Sequence, residues 1–159
     1  MFLGIGLAVV AAGLGITLLS TKGAHLELDG RILHVRILSL NPNASIVVLD
    51  FRAKNPSDVQ FVVKNVEIVL EPASGEPLTG ASISKADVDN VFKYEKILGP
   101  KYNDVLTIRD RIGAHESVDR MDGARFELGE SAIDSRKSIK VRIQDMDGTI
   151  AEIVEKKGL

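Results

Sequence analysis

The stretch FRAKNPSDVQFVVKNVEIVL, Phe51 to Leu70, holds two runs of strand-forming residues separated by Asn55-Pro56-Ser57-Asp58. Upstream of the break, Val47, Leu49, Phe51 and Ala53 share one face of an extended segment, and Asp50, Arg52 and Lys54 oppose them. Alternation of this kind marks a half-buried strand. Pro56 has no amide to donate and pushes Asn55 into an extended conformation, so the ladder stops there. From Phe61 the alternation resumes, with Val66, Ile68 and Leu70 set against Glu67, Val69 and Glu71.

Working outward, the same period predicts strands over Ile32–Leu40, Leu78–Ser84, Val105–Arg111, Ser117–Leu128, Ser138–Gln144 and Thr149–Ile153. Asn41-Pro42-Asn43, Ser74-Gly75 and Asp147-Gly148 supply turns between them. Many strands, frequent turns and no βαβ rhythm predict an all-β antiparallel sandwich or barrel. One helix is expected within 84–98. Ser84 is its cap, Asp87 sits near the positive end of its dipole, and Val88, Val91 and Phe92 face inward. Gly99-Pro100 stops it, and Glu130 to Arg136 reads as a short helical turn.

The chain of 159 residues has the length of one domain. Its 20 Lys/Arg and 22 Asp/Glu all lie after residue 21 and are interspersed, giving a net charge of −2. No basic patch of the kind that binds nucleic acid stands out. Cysteine is absent, which excludes disulfides, thiolate nucleophiles and zinc–thiolate centres. Phe2 to Thr21 carries no charge and is just long enough for a helix of about 20 residues to cross a bilayer. It reads as a single transmembrane anchor. The alternative, a signal peptide, lacks a basic stretch before the apolar run and a good cleavage site. Gly4, Ala8 and Ala12 recur every four residues and could form a face for self-association in the membrane. The expected organisation is an anchor over 1–22, a linker over 23–30, a β-sandwich over 31–154 and a tail over 155–159. Lys22, Arg31 and Arg36 after the span favour a cytoplasmic domain by the charge rule. The pairing of an export-type anchor with a β-domain favours an extracytoplasmic, periplasmic one, which is the expectation adopted.

Ala53-Lys54-Asn55-Pro56, followed by Phe61-Val62-Val63-Lys64-Asn65-Val66-Glu67-Ile68, resembles the core signature of the water-stress-and-hypersensitive-response (WHy) domain of the group-2 late-embryogenesis-abundant proteins. The resemblance is firm over about residues 45–71 and looser over 31–146. It implies an immunoglobulin- or fibronectin-III-like sandwich, often behind a membrane anchor, associated with stress tolerance and without an agreed enzymatic activity. The helix at 84–98 and the Thr149–Ile153 strand depart from the family pattern.

No catalytic constellation stands out. His25, His34 and His115 are scattered, and Asp145-Met146-Asp147-Gly148 lacks the remaining ligands of a calcium loop. Between Thr107 and Phe126, Arg109, Arg111, Arg120 and Arg125 alternate with Asp110, Asp119 and Asp122. Cross-strand ion pairs on a solvated face account for them; a partner-docking face is the functional alternative. The leading expectation is a non-enzymatic, membrane-anchored structural, interaction or stress-protective module without cofactor or metal. A binding module for a lipid or small apolar ligand comes second, predicting an apolar cavity above ~300 Å³ between the sheets or under the 84–98 helix. A hydrolase comes third.

Overall fold

A computed structural model of the chain describes residues 27–155. The expected anchor over 1–22 with Gly4, Ala8 and Ala12, the first half of the linker (23–26), and residues 156–159 lie outside the described residues. Among the described residues no helix is long and apolar enough to cross a membrane.

The elements in chain order are β1 (Asp29–Asn41), β2 (Ala44–Lys54), β3 (Phe61–Glu71), β4 (Leu78–Thr79), β5 (Ala81–Ser82), α1 (Lys85–Tyr94), a 3-10 turn (Lys96–Leu98), β6 (Asp104–Val105), β7 (Arg111–Ile112), β8 (Ser117–Phe126), α2 (Glu130–Asp134), β9 (Ser138–Asp145) and β10 (Ile150–Val154). They form two sheets. The first runs β1-β2-β8-β5, with β6 also on β8; the second runs β10-β9-β3-β4, with β7 also on β3. Every pairing is antiparallel except β6 with β8. β1 opens at Asp29, and Leu28 before it is already buried in the core.

The expected inward face of β2 holds. Val47, Leu49, Phe51 and Ala53 pack with Val66, Ile68 and Leu70 of β3 and with Ile139, Val141 and Ile143 of β9. The opposite face of β2 is not solvated along most of its length. Ile46, Val48 and Met121 form a second cluster with Val88 and Val105, flanked by Val91 and Phe92. The helical insertion therefore lies across the outer face of the first sheet. Its start follows the sequence reading: the Ser84 hydroxyl accepts from the Asp87 amide at 3.1 Å and donates to the Asp87 carboxylate at 2.6 Å. Gly123 lets the helix approach, because a Cβ there would lie 2.9 Å from Ile83 and 3.0 Å from Val88.

Two expected strands are each split between the sheets. Leu78–Ser84 breaks at Gly80, where a Cβ would meet Ala124 and the Phe126 ring at 2.7 Å; β4 joins the second sheet and β5 the first. Val105–Arg111 is not one strand either. β6 ends it in the first sheet and β7 in the second, with a turn between them. The Asp110 amide donates to the Thr107 carbonyl, the Asp110 carboxylate accepts from the Thr107 amide, and Arg109 takes φ 72°.

The Asn55–Ser57 link carries the chain from the first sheet to the second. Asn55 is fully buried. Its amide group donates to the carbonyls of Val59 (2.7 Å) and Ile112 (3.1 Å), and its Oδ1 accepts from the Ser57 amide and hydroxyl. Its backbone amide donates to the Glu116 carbonyl at 2.9 Å. Asn55→Ala leaves several of these buried groups unpaired, and the expected loss of stability in urea unfolding is about 2–4 kcal/mol. A loss below about 0.5 kcal/mol, the range of ordinary surface substitutions, would mean the link is solvated.

Candidate functional site

Two buried carboxylates distinguish the first sheet. Asp50 pairs with Met121 in the β2–β8 register, so it points outward, under the insertion, with no solvent exposure. Arg36 of β1 meets it at 2.7 Å, and the Asn103 side chain donates to its second oxygen at 2.8 Å. The same guanidinium donates to the carbonyls of Pro100 (2.8 Å) and Leu98 (3.3 Å). It lies 5.0 Å from the Phe92 ring centroid and 4.9 Å from that of Tyr102, which also stacks on His34. Stacked, fork-like contact of this kind suits arginine and not lysine. The clamp holds an insertion that exposes Tyr94, Ile97 and Tyr102, with Ile97 82% exposed. Lys93, Lys96 and Lys101 stand beside them in sequence.

Asp122 is the second carboxylate. It pairs with Leu49, whose side chain is in the inter-sheet core, so it points inward. It forms the floor of a cleft of about 340 Å³ at the β8–β3 side of the sandwich. Asn65 and Val66 of β3 form one wall, Ser82 to Lys85 another, and Val105 to Ile108 a third. The cleft is the window left where the chain changes sheet twice, once at Gly80 and once after β6. Asp122 is 4% exposed and has no ion-pair partner among the described residues. Burial pushes its carboxyl up to about 7, opposed by the Gly123 backbone amide. Lys85 stands at the rim, 3.7 Å from Asp104.

The four arginines of the expected docking face do not share one face. Arg125 pairs with Ile46 on the outward side of β8 and bonds Glu127 at 3.0 Å. Arg120 pairs with Phe51 on the inward side and donates to the Asp119 carbonyl. Arg111 belongs to β7 on the second sheet, and Arg109 to the turn before it. The cross-strand pairing expected nearby is present as Arg52 with Asp119, at 2.6 and 2.7 Å. Hydrogen bonding to Arg52 holds the Asp119 carboxyl below its usual range. The pair is largely solvent-exposed, so it contributes little to stability. His115 bonds Asp58 at 2.7 Å, and His34 stacks as described. Asp145 accepts from the Val62 amide and closes the β9–β10 turn. Among the described residues no group of three His, Asp or Glu side chains could hold a metal ion.

No family model matches the chain, and no curated protein or solved structure matches it significantly.

The buried Asp122 makes stability depend on pH in a defined direction. An unperturbed aspartate releases its proton near pH 4, so between about 4 and 7 the folded chain holds a proton that the unfolded chain has lost. Stability therefore falls as pH rises through this window, and the loss levels off above about pH 7. Asp122→Asn removes that cost. In urea unfolding, its stability gain over the parent is expected to be about 2–3 kcal/mol larger at pH 8 than at pH 5. A gain that does not change with pH would mean that Asp122 is solvated.

Proposed function

We propose that the chain is a non-enzymatic, membrane-anchored interaction module: an immunoglobulin- or fibronectin-III-like sandwich that presents its helical insertion to a protein partner. The observation that carries this reading is the Arg36–Asp50–Asn103 clamp, which fixes an insertion whose Tyr94, Ile97 and Tyr102 are exposed. A pre-ordered segment with exposed aromatic and aliphatic anchors loses little entropy on docking. The anchor over residues 1–22 would keep that surface at the membrane, with the domain on the extracytoplasmic side. A stress-protective role is supported by the resemblance of residues 45–71 to the WHy domain, and the fully bonded Asn55 gives that Asn-Pro signature a structural reason.

A second reading, a binding module for a lipid or small apolar ligand, draws on the side cleft, whose volume of about 340 Å³ lies within the ligand-pocket range. The first reading is tested by placing a photo-crosslinking residue at position 97 or, as control, at position 74 of the full chain in its native membranes. Discrete crosslinked products from position 97 and none from position 74 are expected. Equal or absent crosslinking at both positions would overturn it.

A further inference from the structure

The side cleft combines features that select one class of ligand. Its floor is a carboxyl group on the inward face of β8, in line with Leu49 and Phe51 of the neighbouring strand side. Its walls bring Val66, Ile83, Val105, Leu106 and Ile108 within reach of one small molecule. Lys85 is the other charged residue lining the cleft, and no charged side chain among the described residues pairs with Asp122. Lys85 on α1 is paired with Asp104 of β6 at the rim, and Arg120, two residues away on β8, turns to the Asp119 carbonyl. Asn65 and Val66 of β3 and Ser82 of β5 complete the surroundings, and none of them titrates. A buried carboxylate without a counter-ion is costly, and a ligand that supplies both positive charge and hydrogen-bond donors relieves that cost.

We propose that this cleft binds a small primary alkylammonium ion, with its alkyl chain against Val66, Ile83 and Leu106 and its ammonium group on the Asp122 carboxylate. The proposal rests on the second reading, that of a ligand-binding module, and is independent of docking by the insertion. An ammonium group offers three donors at one point, which suits a single buried carboxyl lining a cleft with apolar walls. A cavity of about 340 Å³ accommodates a chain of a few carbons. Because binding requires the ionised carboxyl, affinity follows the ionised fraction of Asp122. For a group titrating at about 7, that fraction makes binding roughly tenfold tighter at pH 8 than at pH 6.

The test uses the full chain in phosphatidylcholine nanodiscs, titrated with n-butylammonium chloride at pH 6 and pH 8 and followed by amide chemical shifts. The expected result is a saturable response centred on Val66, Ile83, Leu106 and Asp122, roughly tenfold tighter at the higher pH. It is lost in Asp122→Asn, which is expected to fold at least as stably as the parent, and kept or strengthened in Lys85→Met. n-Butanol is the neutral control. Equal binding of n-butanol would overturn the ammonium assignment while sparing the apolar-ligand reading; binding of neither compound would overturn both. An unchanged response in Asp122→Asn, or shifts centred elsewhere, would also overturn the proposal. Loss of the response in discs that contain phosphatidylethanolamine would move the ammonium to a lipid headgroup and contradict a free amine.

Discussion

Arg36 and Asp50 meet at 2.7 Å beneath the helical insertion, where Asp50 has no exposure to solvent. A carboxylate in that position is tolerated only with a counter-charge and with its remaining oxygen bonded, and Arg36 and Asn103 supply these. Arg36 comes from β1 and Asn103 from the connection after the 3-10 turn. Arg36 already neighbours Asp50 across the β1–β2 ladder, but Asn103 reaches Asp50, and the Leu98 and Pro100 carbonyls reach Arg36, only if the chain between β5 and β6 folds over the outer face of the first sheet. Val88, Val91 and Phe92 then fall onto Ile46, Val48 and Met121, which buries β2 on both faces. The same placement makes the start of the insertion, Ile83 to Lys85, one wall of the side cleft.

The cleft is a consequence of topology. The sandwich closes on the β1 and β10 side, where these two strands come together. On the opposite side it is bounded by strands of two residues that change sheet, β4 to β5 and β6 to β7. Such short strands cannot cover the whole edge, and Asp122 lies in the gap between Ala124, which pairs with Ser82, and Met121, which pairs with Val105. A polar residue on the inner face of a strand is tolerated there because the site opens to one side, and burial nevertheless keeps its proton affinity high.

The long strands, the cap of α1 and the turn at Asn55 were legible in the sequence because each rests on a local signal: alternation, a Ser-x-x-Asp start, an Asn-Pro break. The split strands were not, because a change of sheet leaves no mark on period two; only Gly80 within Leu78–Ser84 hinted at it. Alternation puts Asp50 on the outer face of β2 but not out of solvent; its burial is signalled only by the unbroken Ile46-Val47-Val48-Leu49 run, which marks a strand covered on both sides. Asp122 sits in sequence within a run of charges that looks solvated. Counting parity from Val118, Ala124 and Phe126 puts it inside, but Asp119, Arg120 and Arg125 dominate the segment and mask that signal. The counter-ion of Asp50 comes from another strand, so no motif could reveal it.

The Arg36–Asp50 clamp, separately from the inter-sheet core, holds the insertion in place. Native-state hydrogen exchange of Arg36→Lys tests it most directly, because lysine keeps a counter-charge for Asp50 but loses the fork to the Leu98 and Pro100 carbonyls and the stacking on Phe92 and Tyr102. The amides of α1 are expected to lose protection while those of β2 and β9 keep theirs, as a local opening requires. Unchanged protection in α1, or an equal loss in all three elements, would contradict it.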